Sequence, residues 1–378
     1  MGKMPKLGKA LCIALFFALL WLPVLQMALR FYPEFEEAEK RELAKPPQLS
    51  LEALSRLPRE FNSFAADNFG FRPDLIRWNS ILKTRLLGIS PIPSVIVGKD
   101  AWLFYCSEAL ADGNTINDYR GTIPLPDSEL VKLQQRLEEN RREFSKRNIL
   151  YVVVIVPNKN TVYGEYLPDG VVKHRPTTRL DQLISHLEKH STMRVIDLRE
   201  TFHRARVEHP LYWKTDSHWN SYGAYVAYAE IMKHISTKIP AVRSIFVSPE
   251  SVRVETNPAG GDLAQMLFMQ DLLPEENETR FSAGPAREGR LLGTLLFRHD
   301  SFGDGLYPFL RMHFKSIVNI APFAPYPLED IERRKPEVLL HVFAERYITQ
   351  ALHDDFYYGE VTQGSLHRLG EAAAAGNR

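Results

Sequence analysis

Hydrophobic positions fall into three regimes along this chain. From Ala10 to Leu29 they are nearly continuous, interrupted by Pro23 and Gln26, a run long enough to cross a bilayer as a helix. Residues 31–60 are charged and proline-containing, with Glu34 to Glu42 and then Lys45, Pro46 and Pro47, and read as a stalk. The segment Phe61 to Arg72 follows, then an amphipathic stretch from Leu75 to Leu87. Two β-rich runs between Ser94 and Tyr105 flank Gly98, Lys99 and Asp100, the pattern of a hairpin.

From 127 onward, helical and strand periods alternate. Asp127 to Lys146 places Leu130, Leu133, Leu137 and Phe144 near one helical face. Ile149 to Val156 is an unbroken aliphatic-rich run ending at Pro157, which predicts a parallel strand covered on both faces. A helix over Thr178–His190, a short strand over Arg194–Leu198 and a helix over Tyr222–Ile235 come next. Residues 240–292 show no clear period and predict loops and short strands. Strands are expected at Leu291–Arg298, Ile317–Ile320 and Val338–Phe343, with a helix over Leu306–Phe314. Repeated strand–helix units predict an α/β fold, a parallel sheet with helices on both faces. Residues 351–378, with Ala372 to Ala375, are expected to form a disordered tail.

Composition narrows the setting. In 378 residues, 47 basic and 46 acidic side chains leave a net charge of +1, which gives no global attraction to nucleic acid. Of the two cysteines, Cys12 lies in the apolar run, so Cys106 is the lone thiol of the globular part and no disulfide framework exists. Lys3, Lys6 and Lys9 precede the apolar run, and such a basic flank stays in the cytoplasm. Gln26-Met27-Ala28 is a poor cleavage site, and no lipobox precedes Cys12. Residues 1–30 therefore read as an uncleaved signal anchor, single-pass in the inner membrane, with everything after Arg30 periplasmic. A cleaved signal peptide, releasing the chain into the periplasm, is the competing reading.

Two segments carry candidate chemistry. The run Thr294 to Arg298 leads through His299 into Asp300-Ser301 and a turn containing Gly303 and Gly305. A strand that ends in serine and turns at once into a helix lifts the hydroxyl above the sheet edge, where sites form in parallel α/β folds. The same residues also fit a plain helix N-cap. A nucleophilic serine needs a base and a carboxylate to orient it. Asp216 and His218 lie in Lys214 to Asn220, between Trp213 and Trp219, which are placed to wall the imidazole. An exposed polar loop is the bland alternative there. His186 and His190 have the spacing of a metal pair, but Leu180, Leu183, Ile184 and Leu187 define the buried face and turn both outward, so no metal is expected. Pro258 to Asp262 is glycine-rich yet lacks a dinucleotide fingerprint and reads as a turn.

Taken in order, Asn68–Arg72, Val95–Phe104, Val156–Tyr163, Thr215–Asn220, Gly261–Leu263 and Asp300–Gly303 resemble the alginate O-acetyltransferase family. The catalytic domain of that family is a circularly permuted SGNH hydrolase, in which the Asp-x-His precedes the serine as it does here. The resemblance runs over roughly residues 35–350 and implies an SGNH hydrolase-like three-layer domain at 61–350. It implies Asp216, His218 and Ser301 as a catalytic triad acting through an acetyl-serine. It further implies the Ser301 amide as an oxyanion donor. Lys159, Asn160 and Tyr163 would supply a second donor or grip the glycan, and Trp219 would join them at the substrate. No cofactor is implied. Two departures stand out: His299 replaces the glycine of a Gly-Asp-Ser block, and the stretch after 345 is too short for a carbohydrate-binding module.

The expected function is therefore transfer of acetyl groups to hydroxyls of an extracytoplasmic polysaccharide, alginate-like in class. The expected partners are the polysaccharide acceptor, a membrane-bound O-acyltransferase as acetyl donor, a polysaccharide synthesis and export complex, and the membrane itself through residues 1–30. The competing readings are an SGNH-type carbohydrate acetylesterase and a non-catalytic glycan-binding scaffold subunit.

Overall fold

A computed structural model describes residues 6–32, 43–48, 50, 54–108, 113–240, 252–257, 260–281, 291–352 and 356–357. The chain divides into two compact units, one of residues 1–91 with 265–269 and one of 92–264 with 270–378. Residues 61–91, expected to lie in the catalytic domain, thus cluster with the N-terminal segment. The expected tail falls, beyond Tyr357, outside the described residues.

The first unit contains α1 (Lys6–Leu29), α2 (Leu57–Asp67) and α3 (Arg72–Leu82), the last running into a π-helical turn at Lys83–Leu87. The Gly8–Leu29 stretch of α1 is long and apolar enough to cross a membrane. The Arg77 guanidinium donates to the Phe268 carbonyl at 3.0 Å, tying 265–269 to α3.

In the second unit, β1 (Val95–Val97) and β2 (Leu103–Tyr105) pair antiparallel as the predicted hairpin. Then come α4 (Thr115–Tyr119), α5 (Asp127–Ser145), β3 (Leu150–Val156), α6 (Lys159–Val162), α7 (Arg179–His190), β4 (Ile196–Asp197), α8 (Arg199–Ala205) and α9 (Ser221–Lys238). β5 (Val252–Asn257), α10 (Asp262–Met266) and β6 (Glu275–Phe281) follow, β5 and β6 pairing antiparallel. β7 (Leu292–His299) leads into a 3₁₀ turn at Ser301–Leu306 and the single turn α11 (Tyr307–Leu310), where one longer helix was expected. The rest is β8 (Phe314–Ile320), β9 (Tyr326–Pro327), α12 (Leu328–Arg334), β10 (Val338–Ala344), α13 (Ile348–Ala351) and β11 (Phe356–Tyr357).

The main sheet runs β4, β3, β10, β7, β8, parallel throughout. Strand alternation sorts its side chains between two layers of helix. Val152, Val154, Phe297, Leu340 and Val342 share one core with Phe202 of α8 and Ile231 of α9. Val153, Ile155, Leu296, Leu339 and Phe343 share the other with Leu137 of α5 and Leu183 of α7. This is the three-layer α/β arrangement expected from the strand–helix repeats. A capping box of Thr178 and Asp181 starts α7, and Asn220 starts α9 by accepting from the Gly223 amide at 3.0 Å.

Register brings three strand ends together. β10 aligns Ala344 with Val156 of β3 and Val342 with His299 of β7. The residues beyond those strands (Asn158 and Lys159, Glu345 and Arg346, Asp300 and Ser301) therefore occupy one edge. Buried carboxylates fasten that edge: Asp300 accepts from the Ala344 amide at 2.8 Å, and Glu345 accepts from the Asn158 amide at 2.9 Å. Burial pushes Glu345 up to about 7, with Asp118 adding to the rise and the Thr161 hydroxyl opposing it.

Leu340 lies on the central strand with 0% exposure. Leu340→Ala is expected to cost about 2–5 kcal/mol of unfolding free energy. Val207→Ala, at a position 81% exposed, should stay within about 0.5 kcal/mol. Urea denaturation of the two variants reads the difference.

Candidate active site

The strand end at β7 decides what Asp300 and Ser301 do. Asp300 is the cap of the 3₁₀ turn, its Oδ1 accepting from the Phe302 amide at 3.0 Å. That leaves the Ser301 hydroxyl, on an exposed residue, to point elsewhere: its Oγ lies 2.7 Å from His218 Nε2. Gly303 is required at this turn, because a Cβ there would stand 2.2 Å from the His299 ring.

The imidazole is held from its other side. His218 Nδ1 lies 2.8 Å from Asp216 Oδ1, and the His218 backbone amide donates to the same oxygen at 2.8 Å. Since an ionised carboxylate only accepts, Nδ1 carries the proton and Nε2 is free to accept from the serine hydroxyl. Burial works to raise the Asp216 pKa, but the His218 hydrogen bond and charge outweigh it, and the carboxyl is held down to about 2. Burial likewise works to lower His218. The Asp216 hydrogen bond and charge, helped by Asp262, prevail and set it above the ordinary histidine value.

The loop bearing Asp216 and His218 is closed at its base by a bridge between Tyr212 and Trp219. Two buried charges take several of its carbonyls and amides. The Lys159 ammonium donates to the carbonyls of Leu103 (2.6 Å), Lys214 (2.8 Å) and Asp216 (2.9 Å). Glu275 accepts from the Lys214 amide at 3.0 Å, from the Thr215 hydroxyl at 2.5 Å, and from the Thr215 amide. Burial takes Lys159 down to about 7 against the charges of Glu275, Asp216 and Asp262. Three accepting carbonyls nonetheless require the ammonium form.

Asp262 completes the loop. Its carboxylate accepts from the Ser217 amide at 2.7 Å and the Ser217 hydroxyl at 2.6 Å, and its own amide donates to Asp216 Oδ2 at 2.9 Å. Gly261 permits the approach, since a Cβ would stand 2.3 Å from that of Asp216. Donor atoms of Asp216, His218 and Asp262 lie within 4.8 Å of one another, the spacing of a potential metal group. Their hydrogen bonds to one another and to Ser217 account for that closeness.

The structure thus brings Asp216, His218 and Ser301 into one hydrogen-bonded row, and of the four predicted substrate residues it ties Lys159, Tyr163 and Trp219 into the packing around that row. Lys159 is a clamp on the loop, not a group facing solvent. The Tyr163 hydroxyl accepts from the Leu211 amide at 2.8 Å, and its ring packs 4.5 Å from Trp102. Burial raises that phenol to about 12. Trp219 is buried, one ring removed from the imidazole: Phe302 stands between them, 5.1 Å from His218 and 5.3 Å from Trp219. Asn160 lines a small cavity with Ser217, Tyr105 and Arg346. The Arg346 guanidinium lies 5.6 Å from the Phe302 ring. His186 bonds to Gln134 at 2.8 Å, away from this row. Asp262, Glu275, Phe302 and Arg346 carried no sequence signal as site residues, though Asp262 sits in the Gly261–Leu263 motif and Phe302 beside Ser301.

A family model described as SGNH hydrolase-like domain, acetyltransferase AlgX, matches residues 95–295, more than half of the chain. The chain belongs to this family. The match takes in Asp216 and His218 and ends before Ser301. A probable alginate O-acetylase AlgJ of Azotobacter vinelandii is 24% identical over 296 residues, 68% of this chain and 71% of that protein. The probable alginate O-acetylase AlgJ of Pseudomonas syringae pv. tomato is 25% identical over 287 residues, 68% and 69% of the two chains. Among solved structures, the O-acetyltransferase domain of Pseudomonas putida AlgJ aligns at a TM-score of 0.43 with 20% identity, covering 74% of this chain and 100% of that one.

Lys159→Met removes the donor shared by three carbonyls. The Lys214 carbonyl keeps the Leu103 amide at 2.8 Å, so the variant leaves the Leu103 and Asp216 carbonyls without their lysine donor. At about 1–3 kcal/mol for each buried group left unpaired, stability is expected to fall by about 2 kcal/mol. Hydrogen–deuterium exchange should quicken at 214–218 in particular. Unchanged protection of those amides would show that the clamp does not hold the loop.

Proposed function

We propose that this chain is an extracytoplasmic O-acetyltransferase, anchored through α1, that carries acetyl on Ser301 and passes it to hydroxyls of a polysaccharide. The observation that carries the reading is the row Ser301 Oγ, His218 Nε2, His218 Nδ1, Asp216 Oδ1, with contacts of 2.7 and 2.8 Å. Membership of an acetyltransferase family, and relatives named probable alginate O-acetylases, support the acyl group and the acceptor class.

In the first half-reaction His218 Nε2 takes the Ser301 proton as Oγ attacks the acetyl carbonyl carbon. The donor's leaving group departs with that proton, giving acetyl-Ser301. In the second half, a sugar hydroxyl gives its proton to His218 and attacks the ester; the serine oxygen leaves and recovers the proton. Asp216 fixes the tautomer and stabilises the imidazolium in both halves. The Ser301 amide and the Asn160 side chain are the proposed oxyanion donors, each worth about 10²–10³ in rate. A membrane-bound O-acyltransferase is the proposed donor, and a polysaccharide synthesis and export complex the proposed setting.

The test is to incubate the full-length chain in detergent with an acetyl-ester donor and an unacetylated oligosaccharide. Acetylated sugar is expected; free acetate alone would instead indicate an esterase. Ser301→Ala should lower transfer by about 10³-fold or more. Polymer acetylation left unchanged in cells carrying that variant would favour a scaffold.

The base must be neutral to accept the serine proton. Because the His218 pKa is raised, rate should climb with pH through a midpoint above the ordinary histidine value of about 6.5. Asp216→Asn should move that midpoint down and cost about 10⁴ in rate. A pH profile of kcat/KM for both forms checks the sign.

A further inference from the structure

α3 and the π-helical turn that continues it present two contrasting sides. The buried residues, Pro73 and Ser80, are seven apart and share one side. Leu75, Trp78, Leu82 and Leu86 follow one another at spacings of three, four and four. At about 100° per residue, Leu75, Trp78 and Leu82 of α3 fall opposite Pro73 and Ser80, and Leu86 follows one turn on in the π-helical segment. All four are exposed, Trp78 at 68% and Leu86 at 72%. Lys83 and Arg85 lie in the π-helical turn beside Leu82 and Leu86. An apolar stripe that includes tryptophan and is edged by basic residues has the composition of a helix lying in a lipid interface.

A second observation sets the depth. The 24 residues of α1 extend about 36 Å at about 1.5 Å each, against about 30 Å of hydrocarbon in a bilayer. The last turns of α1 therefore stand near headgroup level. Gly70 packs against those turns: a Cβ there would lie 2.1 Å from the Pro23 carbonyl and 2.7 Å from Gln26 Cβ. The buried Gln26 side chain bonds the Tyr32 amide at 3.0 Å and carbonyl at 2.7 Å, and the Phe71 ring packs on Phe31 and Tyr32. α3 opens at Arg72, two residues past Gly70, and so starts at that depth.

We infer that the face of α3 carrying Leu75, Trp78, Leu82 and Leu86 is a lipid-docking surface, seated at the headgroup–acyl boundary of the membrane that α1 crosses. The inference rests on the reading of α1 as an anchor. Acyl chains cover the apolar stripe, and lipid phosphates meet Lys83. Nothing in the acetyl-transfer chemistry demands this surface, and it holds whichever polymer is acetylated.

The test uses the full chain in phospholipid nanodiscs containing anionic lipid, with Cys12→Ser and Cys106→Ser as background. Single nitroxide labels are placed at Leu82→Cys, Leu19→Cys within α1, and the exposed Val207→Cys, and their accessibility to oxygen and to a polar nickel chelate is measured. The label at 82 is expected about 5–10 Å inside the interface, that at 19 deeper, and that at 207 in water. Label 82 reading like 207, with 19 in the bilayer, overturns the inference and leaves the anchor standing. Label 19 in water removes the anchor and the inference with it. Shielding of 82 from both reagents means protein covers the face, and also overturns it. Leu86→Cys repeats the measurement should the label at 82 disturb the helix.

Discussion

The carbonyls of Leu103, Lys214 and Asp216 converge on the Lys159 ammonium, and the functional loop takes its shape from that convergence. Apart from the bridge at its base, the loop 213–218 makes no ladder hydrogen bonds, so its buried backbone groups need partners from elsewhere. Opposite charges divide the work. A lysine from the end of β3 takes the carbonyls of Lys214 and Asp216, and Glu275, from the start of β6, takes the amides of Lys214 and Thr215. A buried ammonium is costly unless such partners surround it. The Asp216 side chain and the His218 ring project from a backbone that these two residues fix.

The serine reaches the same place by another route. Asp300, after β7, binds the amide at the end of β10; Glu345, after β10, binds the amide after β3. Each carboxylate fastens its own strand end to the neighbouring one. The sheet edge beneath Ser301 is thereby locked to the edge that carries Lys159. One contiguous set of buried polar contacts links the hydroxyl to the clamp on its base, which explains how residues 83 positions apart can hold a 2.7 Å contact.

Continuous apolar strands were legible because both faces are buried: Ile149–Val156 and Val338–Phe343 match β3 and β10 within a residue. The start of β8 was missed, since Lys315 and Ser316 are exposed and break the apolar run at Ile317. The hairpin of β5 and β6 lies in charged sequence with little alternation, so 240–292 read as aperiodic. The long helix expected over 306–314 gave way to short turns around Gly303, Gly305 and Pro308. Asp216, His218 and Ser301 could be singled out because each is a residue type with chemistry at a strand end or loop. Lys159 and Tyr163 were misplaced for the opposite reason. A lysine near a site normally faces solvent, and whether it is buried depends on carbonyls 55 and 56 residues away. Asp262 read as a turn because its partners, Ser217 and Asp216, lie more than 40 residues upstream.

Strand β10 sits between β3 and β7, yet it is the last of the five to be synthesised. β3 and β7 touch each other only through it, so neither strand end has its final neighbour until residues 338–344 have emerged. Pairings of such long sequence separation form late. A nascent chain therefore holds the base loop and the serine for some 40 residues without the strand that aligns them. Assembly of the hydrogen-bonded row of Asp216, His218 and Ser301 becomes an event of the finished chain.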